Sequence, residues 1–280
     1  MMRFTIALCL VLIGTLAPSV AQVAGQVSPP ATPVTPLDEI LDLYVRDGLV
    51  YYRALKLDRA RLDRYVASLA ETAVDSLSRE ERLAFWLNAY DALVLKTVID
   101  HYPIPRQSKE YPDRSIRQIP GAFERLQHRV GRRMVTLDQI EQTMLAGFAD
   151  PRVYFAIGRG AMGSGRLRSE AYAAGVIETQ LAEVAAECVT RAQCVEVDRA
   201  NNRIAISSIF SWRSDDFATA YGAEDNDPFT GRSPIERAAL AFVAPRLLAT
   251  EKNLLSKNEF KVTFKPFDWS LNDLTGRGGR

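Results

Sequence analysis

The densest set of chemically useful residues in the sequence is a glycine-rich loop with arginines around it. Gly158-Arg-Gly-Ala-Met-Gly163 has the G-x-G-x-x-G spelling, and Ser164 and Gly165 follow it. Glycines let backbone N–H groups approach a ligand, and the start of a following helix adds partial positive charge. Arginines beside such a loop can hold a carboxylate or a phosphate. The residues predicted to bind this anion are Arg152, Arg159, Gly160, Ser164, Arg166 and Arg168.

Two other interpretations of this loop are a dinucleotide-binding site and a tight turn without a ligand. A dinucleotide site would need a helix directly after the loop and a second parallel strand ending in an acid about 20 residues later, and the pattern predicts neither. The plain alternative to an anion site is a tight strand-to-helix turn whose arginines point to solvent. Both the anion site and the turn remain open at this stage.

The sequence contains few of the residues that nucleophilic catalysis usually requires. The chain has two histidines, His101 at a predicted helix end and His128 in a predicted hairpin. Ser164 lacks the G-x-S-x-G context, because Met162 occupies the position of the first glycine. A Ser/His triad is therefore disfavoured, since nucleophile, base and orienting residue must all be present.

Carboxylates offer a different chemistry. Glu141, Asp216 and Asp268 could act as acid and base of a hydrolase, with Asn88 and Tyr90 positioning the substrate. One carboxyl would need a pKa raised by burial and another a pKa held down by a neighbour. This interpretation requires the three carboxylates to converge with Asn88 on one cleft. Whether the chain is an enzyme stays undecided from the sequence.

Two tryptophans lie in polar and aromatic clusters late in the chain. Trp212 follows Ser-Ile-Phe-Ser, and Trp269 follows Pro-Phe-Asp. Each could line a ligand site, and each could equally fill the core with its indole N–H bonded to an acceptor.

The element that must position these residues is a long apolar helix. Residues 81–101 are apolar on every face for several turns, so neighbours should bury this helix on most sides. Ser78 and Glu81 form a capping box at its start, and Pro103 ends it. Asn88, in its middle, must find hydrogen-bond partners.

Composition bounds the remaining possibilities. The chain has 280 residues, 47% of them hydrophobic and 25% charged, with a net charge of +1, so no global field favours nucleic acid. Helical patterns cluster first and strands later. Helices are predicted at residues 37–45, 57–69, 137–145, 169–191, 209–221 and 233–248, with a second capping box at Thr136 and Gln139. Strands are predicted at residues 153–157, 194–197, 204–207 and 260–264, with one hairpin around residues 199–202 and another at 123–127 and 133–135. The predicted fold class is α+β, a helix-rich single domain with a small, mostly antiparallel sheet. No cofactor or metal site is predicted.

The first residues differ from the rest of the chain. Arg3, an apolar run and Ser19-Val-Ala21 are typical of a cleaved signal peptide over residues 1–21. Residues 22–36 are predicted to be a disordered linker, residues 37–273 the domain, and residues 274–280 a flexible tail. We therefore expect an exported protein, periplasmic or secreted, with no membrane span after cleavage. In that setting Cys188 and Cys194 are expected to form a disulfide.

Several of these stretches together resemble the domain-of-unknown-function 547 family. The resemblance is carried by Phe85-Trp-Leu-Asn-Ala-Tyr-Asp-Ala-Leu93, by Gly131 to Glu141, by Asp150 to Ala156, by Ser207 to Trp212 with Asp215 to Phe217, and by Pro266 to Asn272. It implies one compact domain, often exported, without an established activity.

The chain departs from the family pattern at the glycine-rich loop. Relatives typically carry Asn-Cys-Gly-Ala-x-Ser-Cys-Pro where this chain has residues 158–165, and they often carry histidine where this chain has Gln142. A thiolate cannot be replaced by arginine or glycine as a nucleophile. We therefore expect a non-catalytic binding domain with an Arg/Gly-rich anion-binding loop, whose partner is a small anionic ligand or an extracytoplasmic protein. The hydrolase is the first alternative, and a structural or partner-docking module with an exposed apolar patch is the second.

Overall fold

The structure is a computed structural model that describes residues 35–222 and 227–275. The predictions for the signal peptide, for most of the linker and for the end of the tail lie outside these residues. Within them the chain forms eleven α-helices and seven strands: α1 (Pro36–Tyr44), β1 (Val45–Arg46), β2 (Leu49–Val50), α2 (Tyr52–Leu57), α3 (Ala60–Leu69), α4 (Arg79–His101), β3 (His128–Val130), β4 (Arg133–Val135), α5 (Leu137–Gln139), α6 (Val153–Ala156), α7 (Ile177–Thr190), β5 (Val195–Asp198), β6 (Arg203–Ser207), α8 (Ser208–Trp212), α9 (Ser214–Tyr221), α10 (Pro234–Val243), α11 (Ala249–Leu255) and β7 (Lys261–Lys265).

Helix α4 is the centre of the fold. Ser78 caps it, with Glu81 completing the predicted capping box. Fourteen of its residues are buried, from Leu83 to Ile99 and on every face, as expected of a helix without a polar stripe. Helices α2 and α3 pack against it, and so does the α5 segment. Asn88, Tyr90 and Asp91 lie on this helix, so it positions three polar side chains at the candidate site.

The sheets are small, and the predicted α+β class is confirmed. Strands β5 and β6 form the predicted antiparallel hairpin around residues 199–202, with Val195 opposite Ile206 and Asp198 opposite Arg203. Strand β7 pairs with β6 in parallel, so this three-stranded sheet is mixed. The pairs β1–β2 and β3–β4 are antiparallel hairpins.

Two strand predictions are wrong. Residues 153–157 form the short helix α6 and its C-cap, in which Ala156 N–H donates to Arg152 O at 3.2 Å and Ile157 N–H to Val153 O at 3.3 Å. A short apolar run does not distinguish a buried helical turn from a buried strand. Residues 123–125 form turns and residues 126–127 are irregular, so β3 begins only at His128, where the pairing with β4 starts.

The helix predictions are confirmed with shifted ends. Helix α5 continues into a π-helical stretch, Ile140–Leu145. Residues 169–173 are not helical, since α7 begins only at Ile177 after a 3₁₀ turn. The sequence pattern missed α11.

The predicted disulfide is present. Cys188, in α7, is bonded to Cys194, just before β5, with their Cα atoms 5.2 Å apart. It ties the end of α7 to the start of the three-stranded sheet. Within the described ranges, no helix combines the length and apolarity needed to cross a bilayer.

Candidate functional site

The glycine-rich loop, residues 158–165, leaves the C-terminus of α6 and runs between α4 and the C-terminal segment. Gly160 has a φ of +66°, and a Cβ there would lie 3.3 Å from Val94 and 3.4 Å from Ile116. A Cβ on Gly165 would lie 1.7 Å from the carbonyl oxygen of Phe155, so only glycine fits that position. The loop is therefore packed tightly against the core.

The last described residues close over this loop as a C-terminal strap, residues 266–275. Gly163 N–H donates to Asp268 O at 2.8 Å, and Met162 N–H donates to Ser270 O at 2.8 Å. Asn272, buried, accepts a hydrogen bond from the Tyr52 hydroxyl at 2.7 Å through its side chain. The strap thus binds the loop on one side and α2 on the other.

Arg159 points inward and forms a buried ion pair with Glu141. Its Nε and Nη2 lie 3.1 and 2.8 Å from the two carboxylate oxygens, and only 3% of its side chain is exposed. The same carboxylate accepts hydrogen bonds from Arg213 Nη2 at 2.8 Å and from the Tyr90 hydroxyl at 3.2 Å. These four donors use the full accepting capacity of a carboxylate.

The electrostatics follow from these contacts. Burial alone would raise the pKa of Glu141, but the charges and hydrogen bonds of Arg159 and Arg213 outweigh it and lower the pKa to about 2. Burial raises the pKa of the Tyr90 hydroxyl, so it remains a donor. The Glu141 group is therefore a closed, ionised arrangement that holds the loop in place.

This group extends outward through α8 and α9. The Arg213 guanidinium lies over the Tyr154 ring at 4.3 Å, and it donates to Gln142 Oε1 at 2.5 Å. The Tyr154 hydroxyl donates to Asp216 at 2.7 Å. The structure thus brings Tyr90, Glu141, Arg159 and Asp216 into one network.

The other hydrolase candidates lie elsewhere. The Asn88 side chain makes two hydrogen bonds to the backbone of Tyr172, both 2.8 Å long, and so fixes the segment before α7. Asp268 is exposed on the strap, where it accepts a hydrogen bond from Ser270 N–H at 2.9 Å. Asn88 and Asp268 therefore bind partners other than Glu141 and Asp216. These contacts do not bring the three carboxylates and Asn88 together in one cleft, as the hydrolase interpretation requires.

The other predicted anion-binding residues are engaged with protein groups. Arg166 lies 3.0 Å from Glu187, and Arg168 lies 2.8 Å from Glu183. Arg152 pairs with Asp150 and Glu178, both at 2.7 Å. The Ser164 hydroxyl accepts the Arg159 backbone N–H at 3.0 Å.

Trp212 and Trp269 meet across the strap. The rings lie nearly parallel, at 20°, with centroids 6.2 Å apart, and Phe267 contacts both, at 4.8 and 4.4 Å. Trp212 remains 47% exposed. Trp269 is half-buried, with the Arg117 guanidinium over its ring at 4.5 Å.

Sequence reasoning missed a second buried carboxylate, Asp91. It lies on α4 and accepts the Gly158 N–H at 2.7 Å. Burial raises its pKa to about 8, because the Gly158 hydrogen bond and the charge of Arg159 offset only part of the desolvation. The signal was available, since an aspartate on a helix that is apolar all round must be buried. Sequence reasoning also missed Arg213. Its position directly after Trp212 is the one feature of the sequence that sets it apart from the other arginines.

Residues 74–189 match the family model described as Protein of unknown function, DUF547. The chain therefore resembles the DUF547 family, as its motifs predict. No curated protein and no solved structure matches it. The matched range contains α4, Glu141 and the glycine-rich loop, and it ends before the three-stranded sheet and the strap. Arg159 and Gln142, the two positions where the resemblance leads us to expect a departure from the family, both join this network: Arg159 contacts Glu141 directly, and Gln142 is linked to Glu141 through Arg213.

Proposed function

We propose that this protein is a non-catalytic binding domain. The observation that carries the proposal is the Glu141 carboxylate, which is saturated by four protein donors and paired with a buried arginine. A general base must reach the proton that it abstracts, and a nucleophile must reach its substrate. Arg159 stands where the family pattern has cysteine, and its guanidinium holds the loop closed.

The ligand surface proposed here is beside the loop rather than on its arginines. Arg159, Arg166 and Arg168 each face a carboxylate of the protein, so an anion would have to displace an existing ion pair. Three aromatic residues next to the loop, Trp212, Phe267 and Trp269, form what we call the aromatic platform. Tryptophan with one face packed and another wet is typical of binding surfaces.

A groove adjoins the aromatic platform. It has a volume of about 260 Å³ and is lined by residues of the loop, the strap, the turn before β5 and the ends of β6 and β7: Gly163, Ala192, Gln193, Ser207, Lys265, Pro266, Phe267 and Asp268. Phe267 belongs to both the platform and the groove. The Asp268 carboxylate and the Gln193 amide offer acceptors and donors there, while Lys265 is paired with Glu196 at 2.9 Å.

This combination fits a saccharide. A sugar ring has an apolar C–H face that stacks on an indole, and its hydroxyl rim needs nearby carboxylate and amide groups. Among the described residues, Lys265 and the loop arginines Arg159, Arg166 and Arg168 are paired with carboxylates, so this part of the surface offers no unpaired cation from them to select an anion.

The test is titration calorimetry with gluco-oligosaccharides and N-acetylglucosamine oligomers, beside phosphate and sulfate. We expect a saccharide to bind without turnover and Trp212→Ala to weaken it on the order of tenfold, about 1.4 kcal/mol. The control is Leu57→Ala in α2, which truncates an 83% exposed residue that belongs neither to the aromatic platform nor to the groove. It should leave binding unchanged. Binding of phosphate instead, with loss in Arg166→Ala, would move the site to the loop arginines. Hydrolysed products would overturn the non-catalytic proposal.

We propose in addition that the protein is exported. The charged, apolar and small-residue pattern of residues 1–21 and the Cys188–Cys194 disulfide support this, because disulfides persist in oxidising compartments. N-terminal sequencing of the protein expressed with its full sequence should read from Gln22 in an extracytoplasmic fraction. A chain recovered in the cytoplasm with its first residues intact would refute export.

A further inference from the structure

A second cavity lies in the part of the chain that follows the family match. It has a volume of about 430 Å³ and is bordered by the end of α9, the outer side of α10 and α11. Its lining is mainly apolar: Tyr221, Asp227, Pro228, Phe229, Ala241, Ala244, Pro245, Lys252, Leu255 and Ser256. All ten residues come after residue 189, so the family model says nothing about this cavity.

The walls of the cavity are held by packing. Phe229 and Leu255 are each only 4% exposed. The Tyr221 ring meets Phe242 edge-on, at 5.4 Å and 89°, and Phe229 meets Phe260 at 6.5 Å and 82°. Both the size and the apolar lining are typical of small-molecule sites, which measure roughly 300–1,000 Å³.

The two charged residues of the lining differ in their partners. Asp227 accepts the Phe229 N–H at 2.8 Å and lies 3.5 Å from Arg237 Nη1, so its charge is compensated. Lys252 Nζ donates to the carbonyl oxygen of Pro245 at 2.9 Å, and among the described residues no carboxylate forms an ion pair with it. As far as the described residues show, the cavity combines an apolar interior with a cation at its edge, Lys252, that a ligand can neutralise.

We infer that this cavity binds a small amphipathic anion, an apolar chain or ring that carries a carboxylate. The apolar part would lie against Phe229, Ala241 and Leu255, where its transfer from water is favourable. The carboxylate would accept a charge-assisted hydrogen bond from Lys252. This site is separate from the aromatic platform and does not depend on the proposed function.

The experiment uses decanoate, decanol and decyltrimethylammonium as probes, each below its aggregation concentration, with calorimetry on the full chain. Decanoate should bind with one-to-one stoichiometry and at least tenfold more tightly than decyltrimethylammonium, with decanol between them. Lys252→Gln should reduce the affinity for decanoate about tenfold and leave decanol unchanged. Lys257→Gln, which changes an exposed lysine outside the lining, is the matched control.

A second variant separates the cavity from the charge. Ala244→Leu places a larger apolar side chain in the wall of the cavity and should weaken the binding of both decanoate and decanol, while thermal unfolding shows that the variant is folded. Equal affinity for the anionic and cationic probes, or undiminished decanoate binding in Ala244→Leu, would overturn the inference. Failure to bind any of the three probes would overturn it as well, without bearing on saccharide binding at Trp212.

Discussion

Two buried carboxyl groups contact consecutive residues of the glycine-rich loop, and their pKa values are shifted in opposite directions. Glu141, 6% exposed, binds the side chain of Arg159, and its pKa falls to about 2. Asp91, 4% exposed, accepts the backbone N–H of Gly158, and its pKa rises to about 8. Their burial is nearly equal, so burial does not decide which form is stable. The partners decide it. Two guanidinium groups hydrogen-bonded to Glu141 outweigh the desolvation of its carboxylate, whereas one backbone N–H and the charge of Arg159, which is not bonded to Asp91, do not outweigh the desolvation of Asp91.

The difference explains how the loop is held. On the Glu141 side, charge locks a side chain inward across 18 residues of sequence. On the Asp91 side, the carboxyl is neutral at pH 7 and acts as a hydrogen-bonding group under the loop backbone. The Glu141 carboxylate thus has its accepting positions occupied by side chains, whereas the Asp91 carboxyl accepts the Gly158 N–H.

The largest predicted effect comes from breaking the charged side. Glu141→Gln leaves the Arg159 guanidinium buried without its counter-charge, which we expect to cost about 3–5 kcal/mol in the free energy of unfolding. The measurement is urea denaturation at pH 7 followed by circular dichroism.

Two further variants sharpen this result. Asp75→Asn removes one partner of the exposed Arg133–Asp75 pair, whose distance is 3.1 Å, and should change stability by about 0–1 kcal/mol. Glu141→Gln combined with Arg159→Met removes both charges and should recover part of the loss. If the single variant were as stable as the wild type, the ion pair would not be what holds the loop.

How far the sequence predicts this arrangement depends on the range of each interaction. The capping boxes at Ser78 and Thr136 and the β5–β6 hairpin are local, so spacing and turn chemistry predict them. The bridge between Cys188 and Cys194 follows from their short separation and the expected compartment.

The candidate site is harder because its contacts are long-range. The sequence predicts that Arg159 belongs to a site and faces a ligand, whereas in the structure its guanidinium faces Glu141. No local pattern specifies that Tyr154 reaches Asp216, 62 residues later, or that Arg213 reaches Glu141, 72 residues earlier. The wrong strand at residues 153–157 has the same origin, since tertiary packing decides between a buried turn of helix and a strand.

The second prediction concerns the neutral side and its pH dependence. Because the folded pKa of Asp91 lies above its unfolded value of about 3.9, its contribution to stability is fully present below that value and is lost as pH rises towards 8. The slope of this loss is about 1.4 kcal/mol per pH unit. Asp91→Asn keeps an acceptor for Gly158 and does not titrate, so the free energy of unfolding should depend less on pH between 5 and 8. Glu110→Gln, at an exposed position, is the control.

Glu141 gives the opposite sign and so completes the comparison. Its folded pKa of about 2 lies below the unfolded value of about 4.3, so its stabilisation is present above the unfolded value and is lost as pH falls from about 4 towards 2. Wild type and Asp91→Asn should share this acid limb, and Glu141→Gln should lack it. Parallel pH profiles for all three proteins would show that neither carboxylate is tuned as described.

The smallest predicted effect concerns a hydrogen bond within the loop itself, as distinct from the contacts of the loop with Asp91 and Glu141. The Ser164 hydroxyl accepts the Arg159 N–H at 3.0 Å, which closes residues 159–164 into a turn that begins at the residue held by Glu141. Ser164→Ala should cost about 1 kcal/mol, the usual value of one hydrogen bond, and should leave both pH limbs in place. Ser76→Ala, which removes a hydroxyl bonded to Ala73 O at an exposed site, measures the background. A loss in Ser164→Ala as large as in Glu141→Gln would mean that the turn positions Arg159 and that the ion pair depends on it.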